Sequence, residues 1–116
     1  MRLPNHEKAL VPKEKLTEYL LSETHVDGAP KADFFRRYGF GSGNWTELAQ
    51  ALLHHSAEHD IVREEPTPFG TRYVIEGRLL AADGRQPNLR SIWFVDTGTD
   101  APRLVTAYPL KGNSDD

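Results

Sequence analysis

Hydrophobic and polar residues alternate along the second half of the chain, and this alternation predicts β-strands. Two runs rich in β-branched and aromatic residues, 89–97 and 103–110, flank a cluster of Gly, Asp and Pro, which indicates a β-hairpin. Residues 71–81 alternate as a long preceding strand, and a short strand is predicted at 61–65. Turn-forming residues separate these runs, so we expect the strands to pair antiparallel in chain order.

The first half of the chain instead repeats its apolar residues at helical spacing. Helices are predicted at 12–21, 31–38 and 44–58, and a proline stands at the start of each of the first two. Asn44 and Glu47 resemble a capping box at the start of the third. This order predicts an α+β fold, with about three N-terminal helices packed on one face of a C-terminal antiparallel sheet of about four strands.

Successive side chains of a strand point to opposite faces, so each predicted strand has a core side and an open side. We assign the more apolar side to the core and predict a core of Leu16, Leu20, Phe34, Phe35, Leu48, Leu52, Ile75, Ile92, Phe94 and Val105. The open face then collects charged, hydroxyl-bearing and large side chains, namely Arg72, Glu76, Ser91, Trp93, Leu104, Thr106 and Tyr108. We expect the functional site on this mixed face.

Composition narrows the classes of protein. The chain has 116 residues, a net charge of -3 and no cysteine. This length predicts one domain over 1–116, with an N-terminal arm at 1–11 and a flexible acidic tail at 111–116. Without cysteine there is no disulfide, thiolate metal site or Cys nucleophile. No segment resembles a signal peptide or a membrane span, so we expect a cytoplasmic protein with no membrane partner.

The open face has the composition of a site for phosphate and a stacked base. A cation, a carboxylate, hydroxyls and a flat ring suit those ligands. The alternative is a solvated sheet face with cross-strand pairs, because antiparallel sheets often leave one side in water. The acidic net charge argues against a general attraction to nucleic acid.

A loop bracketed by His25 and Lys31 is a second candidate site. Backbone N–H groups at the start of the following helix favour anions. A His is the usual acid or base near neutral pH, and a Lys stabilises charge that develops on phosphate. The alternative is that both are ordinary surface residues.

The third candidate is an H-x-x-E-H motif formed by His55, Glu58 and His59, which resembles that of inverted zincin proteases. The chain is short for a further ligand and a substrate cleft, and the dipole also favours histidines near a helix C-terminus. We therefore expect no metal and no cofactor.

Several motifs in a fixed order resemble an uncharacterised family of small bacterial proteins. They cover most of the chain and stand at 3–5, 15–21, 25–35, 69–74, 90–93 and 102–110. The layout of helices before a four-stranded antiparallel sheet resembles, in turn, the barnase–EndoU–colicin–RelE class of metal-independent ribonucleases, which act as toxins in bacterial conflict systems.

This resemblance implies an endoribonuclease toxin whose partners are RNA and a small cognate protein, an antitoxin or immunity protein. The 2′-OH of RNA would attack the adjacent phosphate, with His25 as general base or acid and with Lys31 and Arg72 holding the phosphate. The remaining implied roles are phosphate orientation or a second proton transfer by Ser91, Thr106 and Tyr108, and substrate binding by Trp93, Glu76 and Arg90.

A non-catalytic interaction module, the partner or regulatory half of a two-gene pair, is the alternative function. It would use the aromatic sheet face against another protein. Convergence of His25 and Lys31 with the strand residues would favour the enzyme, whereas scattered positions would favour the binding module.

Overall fold

The computed structural model describes residues 1–22, 24, 26 and 29–110. Helices come first in this part of the chain. Helix α1 begins as an α-helical turn and continues as a π-helical turn, and short 3₁₀ turns precede α1 and α3. The bounds are His6–Lys8 for the first 3₁₀ turn, Lys13–Lys15 and Leu16–Leu20 for α1, Ala29–Arg37 for α2, Ser42–Asn44 for the second 3₁₀ turn and Trp45–Glu58 for α3.

The strands follow and form one antiparallel four-stranded sheet in the order of the chain. Their bounds are β1 Ile61–Thr67, β2 Gly70–Arg78, β3 Asn88–Asp96 and β4 Arg103–Pro109. The predicted α+β class is confirmed. None of the described helices has the length and apolarity needed to cross a membrane. The division into one domain with an arm and a tail stays a prediction, and 111–116 lie outside the described residues.

The core lies between the helices and one face of the sheet. Leu16 and Leu20 of α1, Leu48 and Leu52 of α3 and Ile75 of β2 are all completely buried there. These predicted core residues are confirmed, together with Phe34 and Phe35 of α2. The N-terminal arm is tied to this body because the backbone of Leu10 bonds to residues on both sides of Arg103 at the start of β4.

The prediction for the two faces of β3 is wrong. Ser91 and Trp93 are completely buried, and they lie directly opposite inward-facing residues of β2, among them Ile75. Opposed side chains of paired strands share a face. Ile92 and Phe94 consequently lie on the open face of the sheet, where Ile92 is buried and Phe94 is half-buried.

A β-bulge in β4 changes the alternation of that strand. Ile92 pairs with Thr106, whereas Trp93 pairs with Leu104, so that Val105 is an extra residue between the two pairs. Leu104 therefore packs in the core while Thr106 lies on the open face. Regular alternation places Leu104 on the side of Thr106 and Val105 in the core, and the bulge makes both predictions wrong.

A buried histidine fastens α3 to the sheet. His55 Nδ1 lies 2.9 Å from Ser91 Oγ, and its Nε2 lies 3.1 Å from the carbonyl oxygen of Gly77. Because a carbonyl oxygen only accepts, Nε2 carries the proton and Ser91 donates to Nδ1. The Trp93 indole N–H donates to the same serine oxygen at 2.9 Å. The hydroxyl of Ser91 is thus satisfied inside the core, which explains why a polar residue can take an inward position.

Two neighbouring substitutions can test which face of β3 is turned toward the core. Trp93→Ala is expected to lower the free energy of unfolding by about 3–5 kcal/mol, because it empties a completely buried site. Phe94→Ala should cost clearly less, because that ring is half-buried on the open face. Urea denaturation measures both losses. An equal or larger loss for Phe94→Ala would contradict the assignment of the faces.

The buried imidazole of His55 makes stability depend on pH. The pKa of His55 is lowered to about 4, chiefly by burial and also by the neighbouring His59 and His54, while the bond to Gly77 opposes the change. The unfolded chain therefore takes up a proton near pH 6.5, whereas the folded protein takes it up only near pH 4. We expect the free energy of unfolding to fall by about 3 kcal/mol from this group as the pH drops through that interval.

The matched variants for this prediction are His55→Gln and His54→Gln. Denaturation curves measured from pH 7 to pH 4 should show the additional slope in the wild type and in His54→Gln. His55→Gln, which has no imidazole at that position, should lack it. Identical slopes in the wild type and in His55→Gln would show that His55 is not buried in its neutral form.

Candidate functional site on the open face of the sheet

The open face of the sheet carries a depression of about 410 Å³. Val74 of β2 and Ile92 of β3 are direct cross-strand partners, and both are buried at its floor. Its other lining residues are mostly charged, namely Val62, Arg63, Arg72, Glu76, Arg90 and Tyr108. The charged side chains around this apolar floor remain about a third exposed, so water still screens their interactions in part.

Arg90 is held at one end of the depression by its two cross-strand neighbours. Its Nε donates to Glu76 Oε2 at 2.8 Å, and its Nη1 donates to Tyr108 Oη at 3.1 Å. These bonds to Tyr108 and Glu76 raise the pKa of Arg90. The guanidinium group therefore has a fixed place beside a phenol hydroxyl, which suits recognition of a phosphate.

Arg72 is held at the other end by Glu65. Its Nη1 donates to Glu65 Oε1 at 2.6 Å, and Arg63 lies 3.4 Å from the second oxygen of the same carboxylate. The hydrogen bond from Arg72 lowers the pKa of Glu65. With the ion pair of Arg90 and Glu76 at the first end, three guanidinium groups and two carboxylates lie in or beside the depression. The depression is thus locally cationic in a chain whose net charge is -3.

Lys31 of α2 reaches this face at the edge formed by β4. Its ammonium group donates to Thr106 Oγ1 at 3.2 Å and to Tyr19 Oη, and the two hydroxyl oxygens are 3.4 Å apart. The ammonium nitrogen also lies 5.9 Å from the ring centroid of Tyr108. Tyr108 in turn contacts Arg90, so the lysine cluster and the depression adjoin each other.

The structure brings six of the predicted site residues to the open face or its edge: Lys31, Arg72, Glu76, Arg90, Thr106 and Tyr108. Ser91 and Trp93 do not belong to this group. They lie in the core on the opposite side of the sheet, so their predicted place on the open face is wrong. His25 lies outside the described residues, and its role stays a prediction.

Three residues of this region were not identified from the sequence as site residues. Tyr19 has the helical spacing of a core residue, and only its hydroxyl hints at another role. Arg63 belongs to a short edge strand whose register contains an irregularity at that point. Phe94 lies on the side of β3 that the sequence predicts to be the more apolar one, and this rule places it in the core.

The H-x-x-E-H motif does not form a metal site in the described part of the chain. Both ring nitrogens of His55 are bonded inside the core, and His59 Nε2 lies 2.8 Å from the carbonyl oxygen of Arg78. Among the described residues, no group of three or more His, Cys, Asp or Glu side chains is arranged to hold a metal ion. The motif therefore serves the attachment of α3 to the sheet.

A second concavity, of about 510 Å³, lies between α3 and the segment that follows β2. Phe40, Ala51, Leu80 and Ala81 give it a mainly apolar lining, and the Leu80 side chain is half exposed. This surface is on the helix side of the molecule and does not join the cationic depression.

The fold of this chain is similar to that of a solved structure, and its sequence matches a protein family. A chain of the "Contact-dependent growth inhibition toxin - immunity protein complex" from Klebsiella pneumoniae 342 has a similar fold, with a TM-score of 0.72 and 17% sequence identity over 88% of this chain and 100% of that chain. At this identity the likeness shows a shared fold. No curated protein matches the sequence. The family described as "Domain of unknown function (DUF6883)" matches residues 2–111. Because that match covers nearly the whole sequence, the chain belongs to the DUF6883 family.

Proposed function

We propose that this protein is a metal-independent endoribonuclease, the toxin of a bacterial toxin–antitoxin or conflict system, with its active site on the open face of the sheet. The observation that carries the proposal is the series of cationic and hydroxyl groups from Lys31 through Thr106 and Tyr108 to Arg90. Charged donors held in place in this way stabilise negative charge that develops on a phosphate. The shared fold with a chain from a toxin–immunity complex supports the same context.

The chemistry needs no nucleophile from the protein. The 2′-OH of RNA attacks the adjacent phosphate and the bond to the 5′-oxygen breaks, which leaves a 2′,3′-cyclic phosphate and a 5′-OH. One group takes the proton of the 2′-OH, and another protonates the departing oxygen. We assign one transfer to His25 and the other to Tyr108, while Lys31 and Arg90 bind the reacting phosphate and Arg72, at the other end of the depression, binds another phosphate of the RNA backbone.

The carboxylates beside the depression support a mechanism without metal. Divalent cations such as Mg²⁺ are bound through carboxylate and phosphate oxygens. Glu65 and Glu76 are each bonded to an arginine, so both carboxylates already have a cationic partner. The arginines that hold them are also the groups that neutralise a phosphate.

The proposed reaction can be tested directly with the purified protein. We expect the purified protein to cleave RNA in the presence of EDTA, to leave DNA intact and to produce 2′,3′-cyclic phosphate ends. Lys31→Ala and Arg90→Ala should each lower kcat about 10²–10³-fold, because each removes a donor to the developing charge. His25→Ala should lower it about 10²–10⁴-fold, because a proton transfer is lost. Initial rates of cleavage of labelled RNA at saturating substrate concentration measure kcat.

Arg78→Ala is the matched control for the loss of a positive charge. Arg78 lies on β2 two residues beyond Glu76 and does not line the depression. It should retain nearly wild-type activity. Cleavage that disappears with EDTA, or an equal loss in Arg78→Ala and Arg90→Ala, would contradict the proposed site.

A non-catalytic protein-interaction module is the second candidate. The observation that favours it is that Arg72 and Arg90 already have carboxylate partners and need no nucleic acid to satisfy them. Partly exposed ion pairs around an apolar floor are also typical of the polar rim of a protein interface. A protein that cleaves no RNA, and whose binding to its cognate partner is lost in Arg72→Glu, would favour this candidate over the enzyme.

A further inference from the structure

Phe94 is the aromatic ring that the exchanged faces of β3 bring to the open side of the sheet. It lies two residues after Ile92 in β3 and on the same face, and Ile92 forms part of the floor of the depression. Its cross-strand partners are Arg72 of β2 and Arg103 of β4. A half-buried phenyl ring therefore stands between two arginines, next to the proposed phosphate site.

The ring of Phe94 packs against the backbone at the start of β2. A Cβ atom at Gly70 would lie 2.6 Å from Cε2 of Phe94 and 2.2 Å from the carbonyl oxygen of Val95. Gly70 also has a φ of +150°, which L side chains rarely adopt. The bare backbone at Gly70 thus leaves the space that the ring occupies.

Arg103 is fixed beside the same ring. Its guanidinium carbon lies 5.2 Å from the ring centroid of Phe94. The guanidinium group is also held by both oxygens of Asp96, with Nε 2.8 Å from Oδ2 and Nη2 3.2 Å from Oδ1. The cation therefore lies over the ring and is held there by its bonds to Asp96.

We propose that Phe94, with Arg103 beside it, is a stacking site for a base of single-stranded RNA. This inference rests on the proposed function, since it places a base next to the phosphates that Arg72 and Arg90 would bind. Unpaired bases stack on aromatic rings and on guanidinium planes, and such stacking tolerates different bases. Along β3, Phe94 and Arg90 are four residues and hence about 13 Å apart, which leaves room for a short extended segment of RNA.

The test compares probes with and without bases. Fluorescently labelled 2′-O-methyl RNA oligonucleotides have no free 2′-OH and resist this cleavage, and abasic oligomers of the same length keep the phosphates alone. Fluorescence anisotropy at one fixed salt concentration gives the affinity for each probe. Phe94→Leu retains an apolar side chain without a ring face, whereas Phe94→Tyr retains the ring. Phe69→Leu, an exposed phenylalanine in the β1–β2 turn, is the matched control.

We expect the wild type to bind the base-containing probe more tightly than the abasic one. Phe94→Leu should lose about 5- to 100-fold in affinity for the base-containing probe and keep its affinity for the abasic one. Phe94→Tyr and Phe69→Leu should match the wild type. For cleavable RNA, Phe94→Leu should raise KM more than it lowers kcat, because the ring binds a base and transfers no proton.

The two proposals fail in different ways. If the wild type cleaves RNA and Phe94→Leu retains wild-type KM and probe affinities, the stacking site is wrong and the ribonuclease stands. If the wild type binds probes and loses base-dependent affinity in Phe94→Leu but cleaves no RNA, the stacking site stands and catalysis is wrong. If the wild type neither binds any probe nor cleaves RNA, both are wrong.

Discussion

The orientation of β3, and with it the composition of both sheet faces, depends on one buried serine. Ser91 accepts a hydrogen bond from Trp93 and donates one to His55, whose second ring nitrogen donates to the carbonyl of Gly77. A buried hydroxyl without these partners would cost about 1–3 kcal/mol. Since side chains alternate with a period of two, an inward Ser91 forces Phe94 outward. The same bonds fasten α3 to β2 and β3, so the helical layer and the open face are fixed together.

Much of the fold was predictable because its signals are local. Helical spacing marks α3, and turn residues separate the strands, so element order and antiparallel pairing follow from short stretches of sequence. The faces of β3 were not predictable in this way, because apolar residues occupy both sides of the strand. The inward orientation of Ser91 instead depends on its hydrogen bond to His55, which lies 36 residues earlier in the chain. The bulge at Val105 also leaves no local signal, and it shifts the alternation of β4.

The candidate site, too, was predictable from the sequence only in part. Glu76, Arg90 and Tyr108 are successive cross-strand neighbours, and their meeting follows once the register of β2, β3 and β4 is known. The participation of Tyr19 could not be predicted, because it depends on how α1 packs beside the edge of β4. Lys31 could be identified as a candidate from its place near a helix start, but its contact with Thr106 results from tertiary packing.

The ion pairs on the open face also limit what the proposed site can bind. A phosphate that enters the depression must compete with Glu65 for Arg72 and with Glu76 for Arg90. The net gain is then the difference between two charge-assisted interactions rather than the whole of one. With a chain charge of -3, general attraction to phosphates adds little. If the proposed site binds RNA, contacts with the bases would therefore supply much of the affinity, and an RNA that cannot place a base correctly would leave the arginines with their carboxylates.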